Sequence, residues 1–316
     1  MTTENGSDDC ATGLRARCPF IEEAAVENIR EFHSPKTADD ALTLLQRPGA
    51  AAVAGGTDVA VRLGEDVEIL VDVTRLGWND IRAENGALSL GATVTMHDLI
   101  SSEAVRGTAD GMLSDAAESF ISRQIRNAAT LGGNLASGAP AADLPPALLA
   151  LDAVVHIRGA AGERAVPLSE FFTGPGRTVL EGGLLTRVTL PHPEGRRGSF
   201  LKVGRTAEDL AIVNAGVSLR VEDGRCRDVR IALGAVGETP MRVPEAEALL
   251  EGKAPAADLL AKAADTVRAR IRPIDDHRAG AAYRKKVGGV LARRGLETCL
   301  RNAGLAPEAG IAPGED

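Results

Sequence analysis

The residues best suited to chemistry fall in two short glycine-bearing strings, Ala54-Gly55-Gly56-Thr57-Asp58 and Thr130-Leu131-Gly132-Gly133-Asn134. Each follows an apolar stretch and closes on small polar side chains. A Gly-Gly pair taken alone marks only a tight turn. Two such strings suit a paired grip on a phosphate-bearing cofactor. Glycine lets the backbone approach closely, and unspent N–H groups neutralise phosphate oxygens without a lysine. Neither string has the helix-opening Gly-x-Gly-x-x-Gly form of a dinucleotide fingerprint.

The second string runs on through Gly138 and Pro140 to Asp143, with small residues throughout. Close approach to a ligand explains that run. Thr130 and Asn134 supply hydrogen-bonding side chains, and the Asp143 carboxylate suits ribose or ribityl hydroxyls. Asp143 equally fits the cap of a helix opening at Leu144, and both roles can hold together. A third string, Lys202-Val203-Gly204-Arg205 through Asp209, reads either as a solvated hairpin with paired charges or as a fixed cation beside cofactor oxygens. In the second case Lys202 favours a reduced, negatively charged ring. Catalytic constellations are missing: there is no Gly-x-Ser-x-Gly, no His-Glu-x-x-His and no phosphate-loop lysine. Asp275-Asp276-His277-Arg278 resembles a metal fragment. The plainer reading has Asp275 or Asp276 capping the last helix, with the others in water. No catalytic residue and no metal ligand is assigned.

The elements that must position these residues are legible in outline. A helix over 37–45, its start marked by Pro35 and Thr37, has an apolar face of Ala41, Leu42, Leu44 and Leu45, and the strand expected over 49–54 runs straight into the first glycine pair. A second strand covers 68–73. Further on, 87–92 alternates as a strand, 97–101 begins a short helix and 113–122 reads as a longer one. The second glycine pair is a loop on this reading, followed by a helix over 144–151 and strands over 153–157 and 184–190. The turn-rich run 191–198 is the best internal boundary. Strands over 199–203, 215–221 and 229–234 follow as an antiparallel sheet, then helices over 244–250, 256–271 and 278–301. In the last helix Tyr283, Val287, Val290 and Leu291 share a face.

The chain has 316 residues, long enough for two domains, with 44% hydrophobic residues and a net charge of −8. The mean hydropathy of −0.04 and a pI of 5.3 describe an acidic globular protein. Nucleic acid and anionic membranes need a basic surface, so neither is an expected partner. No run approaches the roughly 20 apolar residues of a membrane span. Residues 1–25 read as a disordered extension without a signal core, so export is not expected, and the tail from Gly304 reads as flexible. Cys10, Cys18, Cys226 and Cys299 lack any Cys-x-x-Cys spacing; Cys10 and Cys18 are spaced to bridge in an oxidising compartment, but the favoured reading is four free thiols in the cytoplasm, unsuited to an iron–sulfur cluster or structural zinc.

Together the motifs resemble the FAD-binding subunit of the molybdenum hydroxylases, a family including the medium subunit of aerobic carbon monoxide dehydrogenase and the flavin domain of xanthine dehydrogenase. The resemblance runs from about Ile29 to Leu300. It is carried by the two glycine strings, Pro140-Ala-Ala-Asp143, Lys202-Val-Gly-Arg205 with Asp209, Gly237-Glu-Thr-Pro240-Met-Arg242, and Asp275-Asp-His-Arg278 with Tyr283-Arg284. It implies an α+β chain: a bipartite FAD-binding domain of the vanillyl-alcohol-oxidase type over 26–192, split near 86, then a small sheet-plus-helices domain over 198–303. By carry-over Ala52, Val53, Ala54, Gly55, Gly56, Thr57, Asp58 and Val59 wrap the FAD pyrophosphate. Thr130, Gly133, Asn134 and Asp143 hold the opposite side, Phe120 lines the pocket, and Leu185 and Lys202 match further flavin contacts. The Asp275–Arg278 string then looks structural. Relatives of this kind work in a heterotrimer: a large molybdopterin subunit oxidises substrate, a small two-cluster iron–sulfur subunit passes electrons on, and FAD hands them to quinone, NAD or oxygen. Some relatives carry a four-iron cluster on a cysteine-bearing insertion, which this chain's cysteines do not match. Others set a tyrosine against the flavin; here the one tyrosine is Tyr283, and Phe200 is the nearest aromatic to Lys202. The competing reading is a stand-alone FAD-dependent dehydrogenase acting on its own small substrate.

Overall fold

In the computed structural model, residues 28–59, 63–64, 66–120 and 122–305 are described. The expected N-terminal extension, Cys10, Cys18 and most of the C-terminal tail lie outside them.

The first unit is a parallel sheet of β1 (Glu31–His33), β2 (Ala50–Val53) and β3 (Ile69–Asp72) in the order β1-β3-β2. The helix Ala38–Leu45 packs on it. Its start is set by Thr37, whose hydroxyl accepts the N–H of Asp40 at 3.2 Å, and Ala41 and Leu42 face the sheet.

The second unit is an antiparallel sheet in the order β4-β5-β10-β6-β7, built from β4 (Ile81–Glu84), β5 (Ala87–Gly91), β6 (Val154–Gly159), β7 (Gly162–Pro167) and β10 (Leu184–Pro191). A two-stranded ribbon of β8 (Phe172–Gly174) and β9 (Arg177–Thr178) lies between β7 and β10 in sequence. Short helices from Met96 to Ala150 cover this sheet around a core that includes Leu90, Met112, Leu131 and Leu148. The helix expected over 113–122 stops at Glu118, and a new one, Arg123–Ala128, opens where the Ser122 hydroxyl accepts the N–H of Ile125.

The third unit is a sheet in the order β11-β12-β13-β14, with β11 (Arg197–Val203), β12 (Val213–Glu222), β13 (Arg225–Gly234) and β14 (Met241–Arg242). The helices Pro244–Leu250, Ala257–Arg270 and Ala281–Asn302 complete it. The last helix ends on Gly304 at φ +76°, with the N–H of Leu305 closing on the carbonyl of Leu300. Its buried side carries Arg284, Leu291, Leu296 and Cys299. Tyr283 points outward at 49% exposure, so the expected face is turned by about one residue.

β12 joins the units. Val213, Ala215, Val217 and Leu219 alternate onto the C-terminal helices, while Asn214, Gly216 and Ser218 face the helix Leu144–Ala150. That face is small for a reason. A Cβ on Gly216 would lie 2.4 Å from the carbonyl oxygen of Pro146, and the Ser218 hydroxyl donates to the carbonyl of Ala150 at 2.5 Å. Beyond the other end of this helix Asp152 accepts from Arg196, Arg230 and Arg242 at 2.9–3.3 Å. The C-terminal sheet thus holds the helix Leu144–Ala150 near both its ends. Cys226 and Cys299 are free and buried; burial pushes the Cys226 thiol up to about 11 and Cys299 higher still.

Candidate functional site

A cavity of about 910 Å³ opens where the three units meet. Its size lies toward the upper end for small-molecule and cofactor sites. The first glycine string forms one wall, through Ala52, Ala54, Gly55, Gly56, Thr57, Asp58 and Val59. The opposite wall carries Phe120, Thr130, Gly133, Asn134 and Asp143, and the C-terminal unit closes a third side. Val53, Leu185 and Lys202 do not reach the wall. Successive strand residues face opposite ways, so Val53 looks away from Ala52 and Ala54. Leu185 is a core residue of β10 paired with Ile157. Lys202 lies behind Asp143.

The first glycine pair is a turn leaving β2. Gly55 is seated against the other wall, since a Cβ there would stand 1.9 Å from the carbonyl oxygen of Ala128. Gly56 adopts φ +70°, a left-handed conformation that strains other side chains. Such a turn aims consecutive N–H groups to one side, an anion-binding concavity. Among the described residues no protein acceptor takes the N–H groups of Gly55, Gly56 or Thr57.

The second pair differs from the expected loop. It is the first turn of the helix Leu131–Ala136, and Thr130 is its cap, its hydroxyl accepting the N–H of Gly133 at 3.1 Å. The neighbouring N–H groups are spent as well: Leu131 donates to Val94 at 2.8 Å, Gly132 to Ala92 at 2.8 Å, and Asn134 to Thr130 at 2.9 Å. Gly132 is an internal fit, since its Cβ would meet the Ala92 carbonyl oxygen at 2.8 Å. Gly133 is exposed on the cavity side. What this wall offers a ligand is therefore glycine surface and side chains. Of these side chains, Asn134 Oδ1 is buried with no hydrogen-bond partner among the described residues.

Asp143 does not cap its helix. A cap carboxylate accepts from the second or third helical N–H, and those positions are Pro145 and Pro146, which have none. The carboxylate, 2% exposed, turns instead to Lys202 Nζ at 2.9 Å and Asn214 Nδ2 at 3.1 Å. Burial pushes the Asp143 carboxyl up, against the pull of Lys202 and Asn214. Lys202 is neither solvated nor open to the cavity: it is 8% exposed and also donates to the carbonyl of Ser119 at 3.0 Å.

The C-terminal side was not legible beforehand. Gly237, Glu238, Arg272, Asp276, Arg278 and Arg284 all line the cavity, although the Asp275–Arg278 string reads as purely structural in sequence. Asp275 does accept the N–H of Ala281, the first residue of the last helix, at 2.5 Å. Asp276 is not solvated: it accepts from the N–H groups of Arg278 and Ala279 and pairs with the buried Arg284. Burial works against that carboxyl, but the Arg278 N–H and the Arg284 guanidinium hold it down at about 2. The signal available was the recurrence of Asp276, Arg278 and Arg284 at short spacing around the start of the last helix.

A turn with unspent N–H groups facing a small-residue wall across one deep cavity defines a cofactor-binding protein of mixed α/β build. Residues 26–193 match the family model described as the FAD binding domain in molybdopterin dehydrogenase, and residues 198–299 match the CO dehydrogenase flavoprotein C-terminal domain. The carbon monoxide dehydrogenase medium chain of Afipia carboxidovorans is 33% identical, aligned over 86% of this chain and 97% of that one. The xanthine dehydrogenase FAD-binding subunit of Escherichia coli O157:H7 is 30% identical over 86% of this chain and 97% of its own length. Among solved structures, carbon monoxide dehydrogenase of Hydrogenophaga pseudoflava lacking the Mo-pyranopterin moiety superposes with a TM-score of 0.83 at 32% identity, covering 86% of this chain and 98% of that one. The chain belongs to the FAD-binding subunits of the molybdopterin dehydrogenases. Its cofactor is FAD, and it is a subunit of that class of oxidoreductase.

The residues present fit FAD. The unspent N–H groups of 55–57 match a dianionic pyrophosphate, and the orphaned amide of Asn134 lacks a polar partner that a bound nucleotide offers.

Proposed function

We propose that this chain is the electron-transferring flavin subunit of a heterotrimeric molybdenum hydroxylase, working in the cytoplasm. Its residues 26–192 form the FAD-binding domain and 198–303 the smaller C-terminal one. Electrons arrive from a small two-cluster iron–sulfur subunit, served in turn by a large molybdopterin subunit, and leave to quinone, NAD or oxygen. Supporting this, relatives carry names such as carbon monoxide dehydrogenase medium chain and 6-hydroxypseudooxynicotine dehydrogenase complex subunit alpha. No helix among the described residues is long and apolar enough to cross a membrane.

The observation that carries the reading is the turn at 55–57, which lines the cavity and whose N–H groups meet no protein acceptor among the described residues. On this reading the turn holds the pyrophosphate. Asn134 and the Thr130 hydroxyl bind from the second wall, and Asp143 accepts from sugar hydroxyls. Phe120 packs at the rim, while Lys202 acts through Asp143. Bound FAD supplies exchange of electrons one or two at a time, which the protein orients and tunes. Asp143 and Asp276 are both tied into ion pairs, which leaves neither as a free base for oxidising a substrate of its own.

The test is to purify the chain, record flavin absorbance, and titrate the apoprotein with FAD. Stoichiometric uptake, with no flavin reduction by organic substrates until both the iron–sulfur and the molybdopterin partners are added, is expected. Absence of FAD uptake overturns the reading. Reduction by a small substrate without any partner converts the chain into a stand-alone dehydrogenase.

A further inference from the structure

Lys202, Asn214 and Gly234 lie in one row across β11, β12 and β13, each the register partner of the next. The row meets the start of the helix Leu144–Ala150. Asn214 is fully buried. Its Nδ2 donates to the Ala142 carbonyl at 3.1 Å and to Asp143 Oδ1 at 3.1 Å, so both amide hydrogens are used. Its Oδ1 is buried with no partner among the described residues. The reverse orientation of the amide would set oxygen against both acceptors, so the assignment of N and O is fixed by its surroundings.

This arrangement is built around the asparagine. A Cβ on Gly234 would lie 2.3 Å from Asn214 Oδ1, so glycine at that position leaves the space the amide fills. Burying an unpaired acceptor is unfavourable. What the side chain gains lies at its other end, where two consecutive residues of the cavity wall are bridged. Asp143 meanwhile cannot be held by its own helix, because Pro145 and Pro146 lack the N–H groups a cap would use.

We infer that Asn214 is a positioning residue for FAD binding: it fixes the Asp143 carboxylate at the cavity wall from the C-terminal sheet, with Lys202 neutralising the charge. The inference rests on the proposed role of Asp143 toward the cofactor's sugar hydroxyls. It makes the C-terminal unit part of the FAD site through a residue that never touches the cavity.

The experiment compares Asn214→Ala, Asp143→Asn and the double variant in the full-length apoprotein. Three readouts are the Kd for FAD from flavin fluorescence, the visible circular dichroism of bound flavin, and the apoprotein Tm. Asn214→Ala is expected to weaken FAD binding about tenfold, the scale of one charge-assisted hydrogen bond. The double variant is expected to bind no more weakly than Asp143→Asn alone, and the single variants to change the dichroism alike. Multiplying effects in the double variant overturn the inference, as does a lowered Tm with Kd and dichroism unchanged. An unchanged Kd in Asp143→Asn sinks the reading of Asp143 itself, a result distinct from failure of Asn214 alone.

Discussion

The two glycine pairs look alike in sequence and differ in what their backbones have left to give. In each, one glycine is an internal fit: Gly55 against Ala128, Gly132 against Ala92. In each, the other faces the cavity. The first pair is a turn with unspent N–H groups, and the second is a capped helical turn whose N–H groups are all engaged. A glycine pair therefore reports close approach, and only the hydrogen-bond accounting tells whether it also reports anion binding.

Substitutions break this comparison in order of severity. Gly55→Ala forces a methyl into the Ala128 carbonyl and pries the two walls apart. FAD affinity is expected to fall on the order of a hundredfold, equivalent to the upper end of an overpacking cost of about 3 kcal/mol, read by FAD titration. Gly132→Ala presses on Ala92 in the same way but within one wall. It is expected to lower folding stability by about 1–3 kcal/mol in urea unfolding, with FAD binding following only through that loss.

Gly133→Ala separates fold from ligand. An alanine suits a helix, but its methyl would stand 2.9 Å from the Thr130 hydroxyl, so the cap must shift and stability is expected to fall by about 1 kcal/mol, while the altered wall weakens FAD about tenfold. An unchanged Kd would make Gly133 a mere helix residue. Thr130→Val removes the cap and is expected to cost about 1 kcal/mol in urea unfolding, with Thr130→Ser restoring most of it.

The smallest effect concerns acid. Asp276 titrates near 2 in the folded chain and near its usual value of about 3.9 when unfolded, so its contribution is present above pH 4 and is lost as pH falls toward 2. Asp276→Asn is expected to flatten the stability profile in that window, as measured by urea midpoints at pH 5 and 2.5.

Much of the fold was legible because period and punctuation agreed. The helix Pro244–Leu250 and the strands around the first glycine pair match their expected ranges closely. Misreadings came where a local rule lost to a tertiary contact. Leu131-Gly132-Gly133-Asn134 has poor helix propensity, yet Thr130 caps it, Val94 accepts the N–H of Leu131 and Ala92 that of Gly132. β1 is only three residues long and carries no period to read. Asp143 looked like a cap until Pro145 and Pro146 are counted as missing donors. Asn214 escaped notice although Asn214, Gly216 and Ser218 alternate with apolar residues, a pattern of small polar side chains that marks a strand face pressed on another backbone. Asp276 and Arg284 were legible as a motif but not as cavity residues, because only the folded chain brings the start of the last helix to the cavity that the first glycine string lines.

The pairing of β5 with β10 has a consequence for how the site comes into being. Gly91 lies opposite Arg187, nearly a hundred residues along the chain, whereas β1, β2 and β3 close within a short local span. Long loops close slowly and local contacts form early. During refolding the turn at 55–57 is therefore expected to form before the pairing of β5 with β10 closes. Uptake of FAD then acts as a clock for the final closure, trailing amide protection of the parallel unit in a pulse-labelled refolding experiment.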